Sequence, residues 1–152
     1  MPNFRTKRIV NHRADQMFKL VADVEMYPKF LPYCEALVVR NRRSRPDGRE
    51  VIIADMTVGY KFVRETFTSQ VTLDPNSRRI ETSAIDGPFR SLSNRWWFED
   101  FDDSGRSAVH FSIAWEFKSR MLGNLVGSLF DRAFKKYAEA FELRADSIHR
   151  LT

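Results

Sequence analysis

The sequence predicts an α+β domain in which a single antiparallel sheet is covered by a long C-terminal helix. The chain has 152 residues, which suits one domain with one hydrophobic core. Its middle part alternates apolar and polar residues between turn-forming residues, as half-buried strands do. Its final part has apolar residues at helical spacing. We therefore expect residues 1–152 to form one domain with helices on one side of the sheet.

The N-terminal part predicts one strand and two short helices. Residues 4–10, "FRTKRIV", alternate well enough for a strand, and Asn11 is suited to cap a helix that begins near Arg13. Four apolar residues of that helix have the spacing of one buried stripe: Met17, Leu20, Val21 and Val24. In the next segment, "YPKFLPYC", Pro28 fits the first turn of a second short helix and Pro32 ends it. This stiff, apolar corner joins the helices to the sheet.

Six strands are predicted after the corner, separated by segments that favour tight turns. These segments contain Gly, Pro, Asp and Asn, which are the residues that turn geometries favour. From Val109 to Phe117 the residues alternate between a strongly apolar face and a mostly polar face. A sheet of this kind needs a cover on its apolar face. The predicted strands are residues 35–43, 50–58, 62–73, 79–85, 90–101 and 106–118.

The cover is predicted at residues 121–150, which have a helical stripe of apolar side chains. A helix of this length spans about 45 Å, the full length of a curved sheet. Gly123 and Gly127 thin the start of the helix, which favours close packing or room for a guest molecule. The stripe includes Leu125 and Leu129. Function depends on whether helix and sheet close tightly or leave a groove.

The net charge of +5 favours acidic partners, such as nucleic acid, an anionic lipid surface or an acidic protein. The excess is concentrated in one predicted hairpin, "RNRRSRPDGR". Its candidate contacts to an anionic surface are Arg40, Arg42, Arg43 and Arg45. A charge run is also typical of a solvated loop tip that keeps a protein soluble, and both interpretations stay open.

Several function classes lack their sequence signals. There is no phosphate-binding glycine loop, zinc-protease motif or nucleophile elbow, and the three histidines are scattered. The single cysteine, Cys34, excludes an intramolecular disulfide and a multi-cysteine metal site. The start of the chain has no secretory apolar region, and no apolar run reaches the length of a membrane span. We therefore expect a cytoplasmic, noncatalytic protein that requires no cofactor or metal.

Three polar residues with apolar neighbours are candidates to hold the polar head of a ligand. Asn94 shares a strand face with Leu92 and Trp96, and Tyr27 and Tyr33 bracket the double-proline corner. Ligand pockets commonly combine apolar walls with a few hydrogen-bonding groups. The alternative is that each of these side chains satisfies a nearby backbone group.

Four segments, in order along nearly the whole chain, point to a family: "VADVEMYPKFLPYC", "DGPFRSLSNRWWF", "VHFSIAWEF" and a long helix with "AFELRA". Together they resemble the coenzyme Q-binding branch of the START-like superfamily, also called polyketide cyclase/dehydrase-like, which includes bacterial ribosome-association toxins. The resemblance implies a helix-grip fold, in which a curved antiparallel sheet wraps around the C-terminal helix and leaves a tunnel for a hydrophobic molecule.

The resemblance also suggests ligand-binding residues. By motif position these are Tyr27, Phe30, Leu31, Phe89, Leu92 and Trp96, and we add Tyr33, Asn94, Leu125 and Leu129. Trp97 is expected to face the opposite side of its strand from Trp96. The resemblance implies no catalytic residue.

The function that the resemblance implies is a noncatalytic carrier or chaperone for ubiquinone or another prenylated quinone, in respiration or quinone biosynthesis. Peripheral contact with an anionic membrane would fit the Arg-rich hairpin. Two alternatives stay open. One is a toxin-like protein that binds the ribosome or its RNA and blocks subunit joining. The other is a cyclase-like enzyme in which Asn94, Tyr27 and Tyr33 orient a carbonyl group.

Overall fold

The structure, a computed structural model, describes residues 2–149. Over this range the chain forms seven strands, a short α-helix, a 3₁₀ helix and a long α-helix. Their bounds are β1 Asn3–Val10, α1 Ala14–Ala22, the 3₁₀ helix Val24–Lys29, β2 Cys34–Ser44, β3 Glu50–Tyr60, β4 Val63–Asp74, β5 Arg79–Asp86, β6 Phe89–Asp100, β7 Ser107–Phe117 and α2 Arg120–Ile148.

The strands form one antiparallel sheet in the order β1-β7-β6-β5-β4-β3-β2. Strands β2 to β7 are sequential neighbours, whereas β1 pairs with β7 at the far edge, with Asn3 opposite Ala114. The helix α1 and the 3₁₀ helix therefore carry the chain from one edge of the sheet to the other. Helix α2 contacts β1 and β7 as well as β3 and β4, so the sheet wraps around it. The predicted α+β helix-grip architecture is confirmed.

The core lies between the concave face of the sheet and α2. The alternation in β7 has the predicted effect, because Phe111 and Trp115 are almost completely buried. Their partners are aromatic: Trp96 lies 4.5 Å from Phe111, and Phe134 of α2 lies 5.0 Å from Trp115, measured between ring centroids. Aromatic side chains therefore fill most of the space between sheet and helix.

Helix α1 begins differently from the prediction. Asn11 does not cap it; instead Arg13 is the residue that precedes the first turn, and its backbone N–H donates to Gln16 Oε1 at 3.1 Å. The N–H of Ala14 donates to the Asp100 carboxylate on β6, at 3.0 Å. A residue distant in sequence therefore supplies the acceptor that the prediction assigned to Asn11.

Two further details differ from the prediction. Pro28 lies near the end of the 3₁₀ helix rather than in its first turn. Phe62, predicted as the start of a strand, is fully exposed in the turn between β3 and β4, because those strands pair up to Tyr60 and Val63. The predicted end of the last helix at Arg150 lies outside the described residues. No helix of residues 2–149 combines the length and the apolar character needed to cross a bilayer.

Candidate ligand-binding site

A narrow cavity of about 70 Å³ lies between the concave face of the sheet and α2. Its walls are mostly apolar, with Met56, Phe67 and Ile80 from the sheet and Phe134 and Phe141 from the helix. Val24 of the 3₁₀ helix lines it at one end. The sheet and the helix therefore do not interdigitate completely.

Four of the residues predicted to bind a ligand line this cavity: Tyr27, Leu92, Asn94 and Trp96. Leu92, Asn94 and Trp96 are alternate residues of β6 and point to the concave face. Tyr27 reaches the cavity from the 3₁₀ helix. Side chains from β6 and from the double-proline corner therefore line the same cavity.

Five other predicted residues surround the cavity without lining it. Phe30 packs on the ring of Phe141 at 5.1 Å, and Phe89 packs on that of Phe67 at 5.3 Å, so both support lining residues from behind. The remaining three are Leu31 and Leu129, which are buried, and Tyr33, whose ring contacts Tyr60.

Leu125 does not reach the cavity. Its side chain is 64% exposed on the outer side of α2. The next residue, Val126, is buried against the sheet, and successive helical residues are rotated by about 100°. Leu125 is therefore turned towards solvent.

A polar strip crosses the sheet side of the cavity. Thr82 on β5 is directly opposite Asn94 on β6, and Ser69 on β4 lies close by. The Asn94 side-chain N–H donates to the carbonyl of Ser112 at 2.9 Å. Among the described residues no donor reaches the Asn94 amide oxygen, so this oxygen can accept a hydrogen bond from a guest molecule.

Tyr27 and Tyr137 both line the cavity, and their hydroxyl groups differ in hydrogen bonding. The Tyr27 hydroxyl donates to the carbonyl of Val21. The Tyr137 hydroxyl of α2 is buried and has no hydrogen-bond partner in residues 2–149. Burial raises the pKa of both phenols above the usual value, so both remain protonated. Tyr137 therefore offers an unused donor in an apolar cavity.

Tyr137 lies in the predicted helix at residues 121–150, but it is not among the residues predicted to bind a ligand. The sequence does contain a sign of this role, because Tyr137 has a hydroxyl group at a position of the helix that is otherwise apolar. Its neighbours at helical spacing are Ala133, Phe134, Ala138 and Phe141. A buried tyrosine usually finds a partner for its hydroxyl group, so a stripe position with a phenol is a candidate contact for a ligand.

The cavity is poorly suited to acid–base chemistry. Within residues 2–149 its lining has no carboxylate, histidine or lysine. Nearby Cys34 is buried, and burial raises the pKa of its thiol to about 12. Tyr33, one of three residues proposed to orient a carbonyl, lies outside the cavity, and the Tyr27 hydroxyl is already engaged.

The Arg-rich hairpin is largely neutralised by its own neighbours. Arg42 forms ion pairs with Glu25 at 2.7 Å and with Glu50 at 2.9 Å. Arg40 pairs with Asp55, and Arg45 pairs with Asp47 at 3.1 Å. Of the four predicted contacts to an anionic surface, Arg43 alone lacks an ion-pair partner among the described residues.

Comparison with known proteins agrees with this geometry. Residues 10–142 match the family model described as polyketide cyclase/dehydrase and lipid transport. The chain is 31% identical over 141 residues to the ribosome association toxin RatA of Vibrio cholerae, covering 93% of each chain. It is 34% identical over 141 residues to the mitochondrial coenzyme Q-binding protein COQ10 of Drosophila melanogaster, covering 91% of this chain and 56% of that protein.

A solved structure of a START superfamily protein from Mycobacterium smegmatis superposes with a TM-score of 0.76 over 96% of this chain and 98% of that one. At 20% identity this likeness supports the fold alone. Fold, cavity and sequence similarity agree, and we conclude that this chain belongs to the polyketide cyclase/dehydrase and lipid transport family, with the START-like fold.

Proposed function

We propose that the protein binds a long-tailed quinone, such as ubiquinone, in the cavity between the sheet and α2, and that it acts as a noncatalytic carrier or chaperone. The observation that supports this most directly is the buried Tyr137 hydroxyl without a partner. A quinone carbonyl is an acceptor that satisfies this donor, and the aromatic walls suit the ring and the prenyl tail. The similarity to the coenzyme Q-binding protein agrees with this choice.

The size of the cavity sets a condition on binding. An engineered protein cavity of about 150 Å³ holds one benzene ring. The cavity between the sheet and α2 has about half that volume. A quinone ring therefore enters only if α2 moves away from the sheet. Burial of about 400 Å² of prenyl tail, at roughly 25 cal/mol/Å², contributes on the order of 10 kcal/mol before association entropy is subtracted. Apolar contact therefore supplies free energy that can be set against the cost of this movement.

A tail of this kind must be taken from a membrane, so peripheral contact with an anionic bilayer is part of the proposal. Within residues 2–149, Arg43 is the one arginine of the Arg-rich hairpin without an ion-pair partner, and the internal ion pairs of the other four arginines leave less charge for lipid headgroups. The turn between β3 and β4 is a second contact point, because Phe62 is fully exposed there and Lys61 is adjacent. The working location is the cytoplasm, at the membrane surface.

The proposal is tested by extracting the purified protein with organic solvent, by measuring its uptake of ubiquinone from loaded liposomes, and by comparing two tyrosine variants. Tyr137→Phe removes the unused donor and should weaken quinone binding about 3- to 10-fold, the effect of one neutral hydrogen bond. Tyr27→Phe is the matched control, because its hydroxyl already donates to Val21, and it should leave affinity nearly unchanged. Absence of quinone in the extract together with no uptake would refute the proposal.

A second candidate function is association with the ribosome, which is favoured by the similarity to RatA over 93% of both chains. The positive net charge is compatible with binding to ribosomal RNA. Cosedimentation with ribosomal particles on a sucrose gradient, strong at low salt and lost as salt is raised, is the expected result. A gradient that shows free protein at low salt would exclude this function.

A further inference from the structure

The outer face of the sheet has an aromatic pair that the cavity does not use. Trp97 on β6 and His110 on β7 stack with parallel rings, 4.6 Å between centroids and 4° between planes. Trp97 points away from Trp96, which is buried against α2, as the strand alternation predicts. His110 Nε2 lies 2.7 Å from a Glu99 carboxylate oxygen, which holds the imidazole in place.

Four cations surround this pair on adjacent strands. In one cross-strand row Arg79 is opposite Trp97, and Lys7 is opposite His110. In the next row Arg95 and Arg5 lie on either side of Ser112. With about 4.8 Å between strands and about 7 Å between alternate residues, the four side chains span roughly 14 by 7 Å.

These cations are available for a partner. Within the described part of the chain, Arg79, Lys7 and Arg5 have no ion-pair partner, and Arg95 is only within 4.0 Å of Glu81, with both side chains well exposed. An exposed pair at that distance adds little, so Arg95 can exchange Glu81 for an external anion. This contrasts with the Arg-rich hairpin, whose charges are mostly paired.

Two shallow hollows lie side by side on this face. One, of about 290 Å³, is lined by Trp97, Arg79, Glu81 and Arg95. The other, of about 370 Å³, is lined by Arg5 and again by Arg95. Arg95 therefore lies between the hollow that Trp97 lines and the hollow that Arg5 lines.

We propose that this face, defined by Trp97, His110, Arg79, Arg95, Arg5 and Lys7, binds single-stranded RNA. A base stacks against the free side of Trp97, whose other side is covered by His110, and the backbone phosphates contact the four cations. Stacking on a sheet aromatic flanked by cations is how proteins commonly hold unpaired bases. The inference goes beyond the quinone proposal and does not depend on it, because the two sites lie on opposite faces of β6.

Single-stranded RNA fits this face better than a bilayer or a duplex does. The Trp97 ring lies flat on His110 and is only partly exposed, so it does not project as a membrane-inserting side chain does. In a duplex the bases are stacked on one another, and Trp97 would have no base face to contact.

The test measures fluorescence anisotropy of a labelled oligouridylate with the full chain at about 50 mM salt and above. Trp97→Leu should weaken binding roughly 5- to 100-fold with little change in salt dependence, whereas Trp97→Phe should retain most of the affinity. Arg95→Ala should weaken binding and reduce the slope of log affinity against log salt by about 0.7, the value for one lost phosphate contact on a single strand.

Arg120→Ala is the matched control, since it removes an exposed arginine at the start of α2 that has no ion-pair partner among the described residues and lies outside the proposed face. It should change affinity less than about two-fold if the contact is confined to the proposed face, because one distant charge adds little at this ionic strength. Circular dichroism confirms that each variant is folded. The proposal is wrong if the wild-type chain does not bind the oligonucleotide, if Trp97→Leu and Trp97→Phe bind as well as wild type, or if Arg120→Ala weakens binding as much as Arg95→Ala does.

Discussion

Tyr27 and Tyr137 line the same cavity from different elements, yet their hydroxyl groups have opposite roles. The Tyr27 hydroxyl closes a hydrogen bond to Val21 and so anchors the 3₁₀ helix to α1. The Tyr137 hydroxyl is buried and has no hydrogen-bond partner within residues 2–149, which costs free energy. The same chemical group therefore stabilises the fold at one position and is available for a ligand at the other.

We expect the two Tyr→Phe variants to differ in stability in the absence of ligand. Tyr27→Phe leaves the Val21 carbonyl without its donor and should lower the free energy of unfolding by about 1–3 kcal/mol. Tyr137→Phe removes an unsatisfied group and should leave stability unchanged or raise it by about 1 kcal/mol. Urea denaturation of both variants is the measurement. A large loss for Tyr137→Phe would show that its hydroxyl has a structural partner, such as an internal water molecule.

At the scale of the residue, the alternation of one strand is enough to predict which side chains share a face. Leu92, Asn94 and Trp96 share a face of β6 by simple alternation, and all three line the cavity. On α2 the apolar stripe is a weaker guide, since Leu125 belongs to the predicted stripe but is exposed and does not line the cavity. A helical stripe covers a wide angle, and only the packing against the sheet decides which of its residues face the cavity.

At the scale of the element, the turn between β5 and β6 depends on Gly87. Its φ of +125° is a backbone conformation that side chains rarely adopt, and a Cβ placed there would lie 2.7 Å from the Cβ of Phe67. Phe67 lines the cavity, so this close approach fixes both the turn and part of the cavity wall.

Gly87→Ala should therefore destabilise the protein more than Gly105→Ala does. Gly105 also has a positive φ, of +84°, but an added Cβ would meet no atom within 4 Å. The Gly105 variant should lose about 1 kcal/mol of unfolding free energy, because only its backbone conformation is strained. The Gly87 variant should lose more, because Phe67 must also be displaced. Thermal unfolding of the two variants measures the difference, and equal losses would contradict it.

The start of α1 is attached to β6 through Asp100, and this attachment makes stability depend on pH. The Ala14 N–H and then the Arg78 guanidinium, at 3.3 Å, hold the pKa of Asp100 below its usual value. A lowered pKa in the folded state stabilises the fold above the unfolded value, near pH 4, and this contribution disappears as the pH falls through the lower folded value.

Asp100→Asn should reduce stability at neutral pH and make it less sensitive to acid below about pH 4, because the amide retains the acceptor for Ala14 but has no charge to titrate. Urea midpoints measured from pH 7 to acid give the two curves. Parallel curves for wild type and variant would show that Asp100 does not contribute to the acid dependence. No reading of the sequence near Asn11 could have found this contact, because the register of a distant strand creates it.

At the scale of the whole molecule, the order of elements and the class of fold were predictable because each strand is marked by alternation and each turn by its residues. The shape of the space between the sheet and α2 could not be predicted from the sequence. It depends on how aromatic side chains such as Phe89, Phe130 and Phe134 pack against one another. The outer face was also unpredictable from composition. Its four cations come from β1, β5 and β6, which are distant along the chain. The sheet brings these strands together with β7 between β1 and β6.

Quinone binding should quench the tryptophan fluorescence of the whole protein, because an electron-accepting ring quenches an indole in contact with it. Trp96 lines the cavity, whereas Trp115 and Trp97 do not. Titration with a short-tailed ubiquinone should therefore quench wild type strongly and Trp96→Phe weakly. Equal quenching in the two proteins would place the quinone elsewhere.

The pairing of β1 with β7 also determines how the chain can fold during its own synthesis. Strands β2 to β6 can pair one after another as they leave the ribosome, but β1 precedes all of them and its partner β7 follows all of them. Until β7 emerges, the growing polypeptide shows an unpaired edge to chaperones and to other nascent chains. The pairing of β1 with β7 can therefore form only after β2 to β6 have been made, and a chain truncated before β7 would leave β1 without its strand partner.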